Sequence, residues 1–249
     1  MGTDFKKKRS NTFLIHDYSS SSMEPFANTK NYIKKKFNTK PDFRLFLNEY
    51  VKDKFSFGDG VPSDYRDMGV PASWLIDAPP IIAKKFDFIY SGEIRHRKIE
   101  PMLDCFVSGN LKDRSLLILS KDYETLQKKL KANSNIHFAG PVSHEEVRNY
   151  LLQARYGINY MPDVEPFNQQ TSTKFLEYCA CKLPVITTSY PWITEFKNKY
   201  GGNYLLTDFR ELTWDSIRNF KYSFPNLQEW TWEIQLKRCS LFRQLKISL

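Results

Sequence analysis

Nowhere in its 249 residues does the chain hold an apolar run approaching the ~18 residues of a membrane-spanning helix, which excludes an integral helical membrane protein. The polar, basic stretch of residues 1–10 has no hydrophobic segment behind it and does not read as a secretory signal. Only four cysteines occur, Cys105, Cys179, Cys181 and Cys239, without the paired spacing of a zinc site. They read as reduced thiols and point to the cytoplasm. No second histidine stands at H-E-x-x-H spacing from His144, so no metal is expected there. The Gly-x-Gly-x-x-Gly fingerprint is missing, which argues against a nicotinamide dehydrogenase. Internal repeats of fixed period are missing too.

What the chain does hold is 41% hydrophobic residues, 15% of the total being aromatic, enough to bury a substantial core in one or two domains. Its formal charge of +9 is uneven: residues 1–54 carry 12 Lys/Arg against 6 Asp/Glu, mostly in Lys6-Lys7-Lys8-Arg9 and Lys34-Lys35-Lys36. A basic end attracts anionic lipid headgroups or nucleic acid. A solvated, irregular edge accounts for the same runs. No recognised nucleic-acid motif accompanies the charge, so nucleic acid is not expected as a partner.

From Lys85 onward apolar runs and amphipathic stretches alternate. Residues 86–91, 115–120, 135–139, 156–160, 185–188 and 203–206 predict strands; 99–107, 123–131, 143–154, 173–181 and a stretch from Pro191 predict helices. Ser143 and Glu146 form an S-x-x-E capping box. Such alternation with short links means βαβ units and a parallel sheet, and the lack of strict in/out alternation suits strands covered on both faces. The expected fold class is α/β, with a doubly wound parallel sheet over 85–208. A partial α/β segment and connector (1–84) precede it, and a Trp-rich helical extension (209–249) follows. In 1–84, residues 12–15 predict a short strand ending at His16-Asp17, 43–52 a helix or strand, and 59–80 an irregular connector. Ligands of such sheets bind at the carboxyl ends of the strands.

Two clusters fall at such ends. In Thr171-Ser172-Thr173-Lys174, hydroxyl residues cap a helix whose unbonded N–H groups and dipole favour a phosphate; Lys174 adds a charge. Glu177 follows Thr173 by four residues, on the same face and ~6 Å along the axis, where a carboxylate can accept from a ribose diol. An ordinary capped helix with one exposed Glu reads the same residues. The second cluster, Gly92-Glu93-Ile94-Arg95-His96-Arg97-Lys98, directly follows the first strand. Gly92 allows close approach to the backbone, and Arg95, Arg97 and Lys98 suit a diphosphate, although basic βα loops are common.

Four stretches in this order, YSGEIRHRK, NIHFAGPVSHEEVRNYLLQA, RYGINYMP and STKFLEYCACKLPVITT, span some 120 residues. Together they resemble the donor-binding half of glycosyltransferases with the two-Rossmann (GT-B) fold, of the group 1 or family 4 class; the last is the most specific. The resemblance implies a hexosyltransferase-like enzyme that moves a sugar from a nucleoside-diphosphate sugar to a glycan or lipid-linked acceptor with retention of configuration, in surface polysaccharide biosynthesis. It implies that Glu177 binds ribose, that Arg95–Lys98 grip the diphosphate with Gly92, Ser172, Thr173 and Lys174, and that the loop Gly140–Val142 lies near the base. It also places a histidine at the end of an N-terminal strand, His16, toward the donor sugar as the candidate catalytic residue; a structural histidine bonded to a neighbouring loop is the alternative. No cofactor or metal is expected, and no Asp-x-Asp occurs in the chain.

The pattern departs from the family at three points. A second acid often stands eight residues before the ribose acid; here that position is Gln169, and Glu165 lies four residues too early. Lys182-Leu183 replaces the usual glycine before Pro-Val. Some 84 residues before the donor part are too few for a full second Rossmann half, so an incomplete acceptor side is expected, as in a truncated or split enzyme. The competing expectation is a donor-half module that binds nucleotide sugar without transferring it. Uncovered apolar residues such as Phe43, Leu45 and Phe46 would then favour a homo-oligomer. The expected location is the cytoplasm, with the basic N-terminal part suited to the inner face of an anionic membrane.

Overall fold

The structure is a computed structural model describing residues 2–5, 8–78 and 81–245; Lys6 and Lys7 of the basic run, and residues 79–80 and 246–249 of the expected connector and extension, lie outside them. The chain divides into two compact units: Met1–Gly69 with Val164–Thr171 and Glu229–Leu249, and Val70–Asp163 with Ser172–Gln228.

The first unit opens with β1 (Ile15–Tyr18), α1 (Ala27–Phe37), β2 (Phe43–Phe46), α2 (Glu49–Phe55) and β3 (Ser63–Tyr65), and the strands form a parallel sheet in the order β1-β2-β3. Successive residues of β2 face opposite sides of the sheet. Phe46 therefore meets Tyr18, Val51 and Phe55 on one face, where α2 is held by its cap Asn48, which accepts from the Val51 amide at 3.1 Å. On that face too, Arg44 is buried and donates to both carboxylate oxygens of Asp59 at 2.6 Å. Those two bonds hold the Asp59 carboxyl down at about 2. Phe43 and Leu45 point the other way, onto Cys239 and Leu241.

The second unit runs β4 (Phe86–Ser91), α3 (Glu100–Val107), β5 (Leu116–Leu119), α4 (Glu124–Lys129), β6 (Ile136–Phe138), α5 (His144–Leu152), β7 (Ala154–Asn159), α6 (Thr173–Ala180), β8 (Val185–Thr187), α7 (Pro191–Tyr200), β9 (Leu205–Leu206) and α8 (Trp214–Asn219). Its strands are all parallel, in the order β6-β5-β4-β7-β8-β9. The α/β, Rossmann-like fold expected from the alternation is the observed one. One sheet face buries Phe88, Tyr90, Ile118, Ile158 and Ile186 against α3 and Ile217 of α8. On the other, Gly157 of β7 leaves room for the ring of Tyr178 of α6: a Cβ there would stand 2.7 Å from Tyr178 Cδ2. The Tyr178 hydroxyl then accepts from the Ser91 amide at 2.9 Å, tying α6 to the end of β4.

The chain returns to the first unit with α9 (Trp232–Arg238) and α10 (Leu241–Gln244). The stretch expected as one extension from 209 is thus shared: Phe209 and α8 pack in the second unit, and Cys239 and Leu241 cover the first unit's sheet. The apolar contacts of each part decide its allegiance. The N-terminal strand lies three residues later than the expected 12–15, and Phe13, inside that expected span, is 45% exposed. Within 59–80, Ser63–Tyr65 is a strand rather than connector.

Candidate nucleotide-sugar site

Strands β4, β5 and β6 step outward in one direction, and the chain then crosses back to lay β7 on the other side of β4. The order reverses between β4 and β7, the place where open α/β sheets leave a crevice at the strands' carboxyl ends. At those ends lies a cavity of about 300 Å³, its walls including Ser91-Gly92-Glu93 after β4, Ser120-Lys121-Asp122 after β5, Gly140-Pro141-Val142 after β6, and Lys174 of α6. Four sequence-predicted residues, Gly92, Gly140, Val142 and Lys174, therefore share one cavity.

The turn after β4 is fixed by Tyr90, whose hydroxyl donates to the Glu93 carbonyl at 2.6 Å. Burial pushes that hydroxyl up to about 12, with Arg97 acting in the opposite sense, so it stays a neutral donor. Gly92 is pressed by Arg97: a Cβ would lie 3.3 Å from Arg97 Nη1. The other two cations of this loop are placed differently. Arg95 is exposed and reaches Asp122 at 3.8 Å, and Lys98 is exposed in a left-handed backbone conformation. The loop brings one of its three predicted cations, Arg97, against Gly92. The other two are exposed on the turn formed by residues 95–98.

Ser172 is the N-cap of α6, accepting from the Phe175 amide at 3.3 Å. It is buried and its own hydroxyl donates to Asn159 Oδ1 at 2.6 Å. Asn159 in turn donates to Thr187 Oγ1 and the Tyr190 hydroxyl, both at 2.9 Å. This network locks the ends of β7 and β8 to the start of α6, so Ser172 positions the helix, with its hydroxyl facing the sheet. Thr173 and Lys174, both half-buried, open the helix. Their amides precede the first intrahelical hydrogen bonds, as in any helix start.

Glu177 is buried, its side chain 2% exposed, and both oxygens are held: Oε2 accepts from Lys174 Nζ at 2.8 Å, and Oε1 lies 3.2 Å from His144 Nε2. The exposed-Glu reading of this helix is therefore corrected. His144 is the first residue of α5, inside the capping box that Ser143 and Glu146 complete, and its ring stacks on Trp74 at 4.9 Å. Sequence reasoning weighed His144 only as a metal ligand. Its place one residue past the N-cap Ser143, beside the Gly140–Val142 loop, was the available signal. Asn159 and Tyr190 gave none, being polar or aromatic residues at strand and helix ends.

Three residues lie in the first unit. His16 is the second residue of β1, not the end of a strand, and is buried. Its Nδ1 stands 3.3 Å from the Tyr18 hydroxyl and its Nε2 3.8 Å from Asp4; burial holds its pKa below 6.5. The placement of His16 at a strand end is thus corrected: the extended segment begins later and encloses it. Glu165 pairs with Lys54 at 2.7 Å, and the Gln169 carbonyl accepts from Asn48 at 2.9 Å.

Residues 72–214 match the family model described as glycosyl transferases group 1, and the chain belongs to that family. Its fold is that of the GT-B glycosyltransferases. Sucrose-phosphate synthase from Thermosynechococcus elongatus aligns over 93% of this chain and 67% of its own, with a TM-score of 0.60 at 15% identity. AviGT4, a glycosyltransferase involved in avilamycin A biosynthesis, aligns over 82% and 62%, with a TM-score of 0.54 at 15% identity. Anabaena Alr3699/HepE, solved in complex with UDP and glucose, aligns over 78% and 57%, at 0.53 and 12%. Identities this low speak for the fold alone, and the chain spans 57% to 67% of these proteins' lengths. No curated protein matches its sequence.

Proposed function

We propose that this chain binds a nucleoside-diphosphate sugar at the carboxyl ends of β4–β6 and transfers its sugar, with retention, to a glycan or lipid-linked acceptor in surface polysaccharide biosynthesis. The observation that carries the reading is the convergence of Gly92, Gly140, Val142 and Lys174 on one cavity, with buried Glu177 one turn along the same helix. Glu177 receives the ribose diol, releasing its hold on Lys174 and His144. Gly92, Arg97, Lys174 and the start of α6 face the diphosphate, with Arg95 and Lys98 as its outer field. Gly140–Val142 meets the base. As the glycosidic bond breaks, negative charge grows on the diphosphate, and fixed cations and amides there lower the barrier, each well-placed donor by about 3–4 kcal/mol. These groups can act without a metal. Work in the cytoplasm, at the inner face of a membrane, fits the basic N-terminal part.

A second reading, a donor-binding module without transfer activity of its own, is favoured by the size of the first unit's sheet, three strands beside six. Calorimetry with UDP, GDP and ADP, with and without EDTA, tests the shared site; sugar transfer assayed on the same sample separates the readings. UDP is the first probe because Alr3699/HepE was solved with it. Expected is nucleotide binding that survives EDTA and weakens with salt. Failure of every nucleoside diphosphate to bind, or binding only with a divalent ion, overturns the proposal.

A further inference from the structure

Helix α1 is built inside out. Its inward positions are polar: Asn31 is 5% exposed, and its Oδ1 accepts from the Ser22 amide at 3.1 Å. Lys34 donates to Ser22 Oγ at 2.9 Å, and Lys35 to the Ser56 carbonyl. Its aromatic residues point to solvent instead, Tyr32 being 57% exposed and Phe37 63%. Phe26, which precedes the first turn in a left-handed conformation, is 73% exposed. The neighbouring α2 is arranged the usual way, with Val51 and Phe55 buried. Three large aromatic side chains at one helix thus stand largely in water among the described residues of the first unit.

The charges beside them indicate what covers them. The helix has four lysines, Lys30, Lys34, Lys35 and Lys36, and no acid. Lys30 and Lys36 are exposed. On a helix of 3.6 residues per turn, Lys36 lies one turn beyond Tyr32, and Phe37 two turns beyond Lys30, so each ring has an ammonium group beside it and the two pairs edge a broad solvent-facing side, about 140° from Tyr32 to Phe37. A second copy of the same face would set lysine against lysine with no acid to receive it. An anionic bilayer meets both features: the rings enter the headgroup region, and the lysine stems lie along them with their charges toward phosphate. No helix among the described residues is long and apolar enough to cross a membrane, so this contact lies on the surface.

We propose that the outer face of α1, with Phe26, Tyr32 and Phe37 as inserting rings and Lys30 and Lys36 as headgroup contacts, docks this protein on anionic lipid. The face contains none of the residues assigned to the nucleotide, so docking and donor binding fail or succeed separately. The test is flotation of the full chain with phosphatidylcholine vesicles containing either no phosphatidylglycerol or about 30 mol% of it. The protein floats with the anionic vesicles and not with the neutral ones, and less so in high salt. Each lysine near an anionic surface is worth about fivefold in partitioning, so Lys30→Gln with Lys36→Gln weakens binding about 25-fold. Phe26→Ser with Tyr32→Ser and Phe37→Ser weakens it at least about tenfold, since each ring takes apolar area from water. These positions are solvent-facing, and an unchanged melting temperature with an unchanged response to UDP shows that the variants fold. If neither wild type nor variant responds to UDP, the donor assignment fails and the flotation result still stands. Equal binding to neutral and anionic vesicles, or variants that float like wild type, overturns the proposal. So does a wild-type dimer that the aromatic variant converts to monomer, or RNA binding lost with the lysines while vesicles are ignored.

Discussion

Replacing Glu177 by Gln keeps the side chain's shape and removes its charge. A carboxylate accepting from both hydroxyls of a ribose makes two charge-assisted hydrogen bonds of about 1.5–3 kcal/mol each; the amide keeps one acceptor and turns the other position into a donor. The expected loss is about 2–3 kcal/mol, or roughly 30- to 150-fold in Kd for UDP. Stability changes less. Glu177 is 2% exposed, but its partners Lys174 and His144 are 25% and 54% exposed and regain water when the acid is gone. The cost is nearer the ~1 kcal/mol of a partly solvated pair than the 3–5 of a buried one, a fall of about 2–4 °C in Tm. Calorimetry with UDP and with pyrophosphate separates the roles. Pyrophosphate has no ribose, so its affinity should be nearly unchanged in the variant. Wild-type affinity for UDP in the Gln variant would refute the ribose assignment. An equal loss for both ligands would mean that Glu177 acts on the diphosphate through Lys174.

Three further outcomes follow from the geometry. Gly157→Ala puts a Cβ 2.7 Å from the Tyr178 ring on a packed sheet face, which should cost about 1–3 kcal/mol and lower Tm by several degrees in a thermal melt; an unshifted melt would show that the ring is free to move. Asp59, held at about 2 by Arg44, contributes stability above the ordinary carboxyl range that is lost as the pH falls from about 4 through 2. Asp59 is 36% exposed, so the effect is about 1 kcal/mol after screening, and the deficit of Asp59→Asn at pH 7 should shrink as the pH falls through 2. Burial lowers the pKa of His16, so the unfolded chain takes up a proton near pH 6.5 that the folded chain resists; stability is full above that pH and erodes below it. Denaturant titrations of His16→Gln at pH 7 and 5 should show this part of the slope gone, and a slope identical to wild type would contradict the assignment.

The second unit was legible because its signals are local. Phe86–Ser91 is a largely apolar run, interrupted by Asp87, and was placed to the residue. The box of Ser143 and Glu146 fixed the start of α5. Gly92 was singled out as following a parallel strand, Gly140 and Val142 by the family resemblance, and all three line the same cavity. Elements whose reasons are not local were missed. α1 carries its aromatics outward and its polar residues inward, so it shows no inward apolar stripe. β3 reads Ser-Asp-Tyr and is a strand only because β2 lies beside it. His144 and Glu177 meet from helices 33 residues apart, a pairing no spacing rule contains. His16 was misplaced because Phe13 and Leu14 look like a strand when their exposure is unknown.

The sharing of the first unit among three chain segments sets an order of events during synthesis. Phe43 and Leu45 are made early, yet two of the residues that bury them are Cys239 and Leu241. At about 5–20 residues per second, the ribosome needs on the order of 10–40 s to travel from one pair to the other. In that interval every residue of the second unit, through Gln228, has been added. The larger sheet therefore has its whole complement of chain before the smaller one can close. A nascent chain whose residues through Gln228 have emerged would present the complete six-stranded unit together with an apolar strand face still waiting for its last helices.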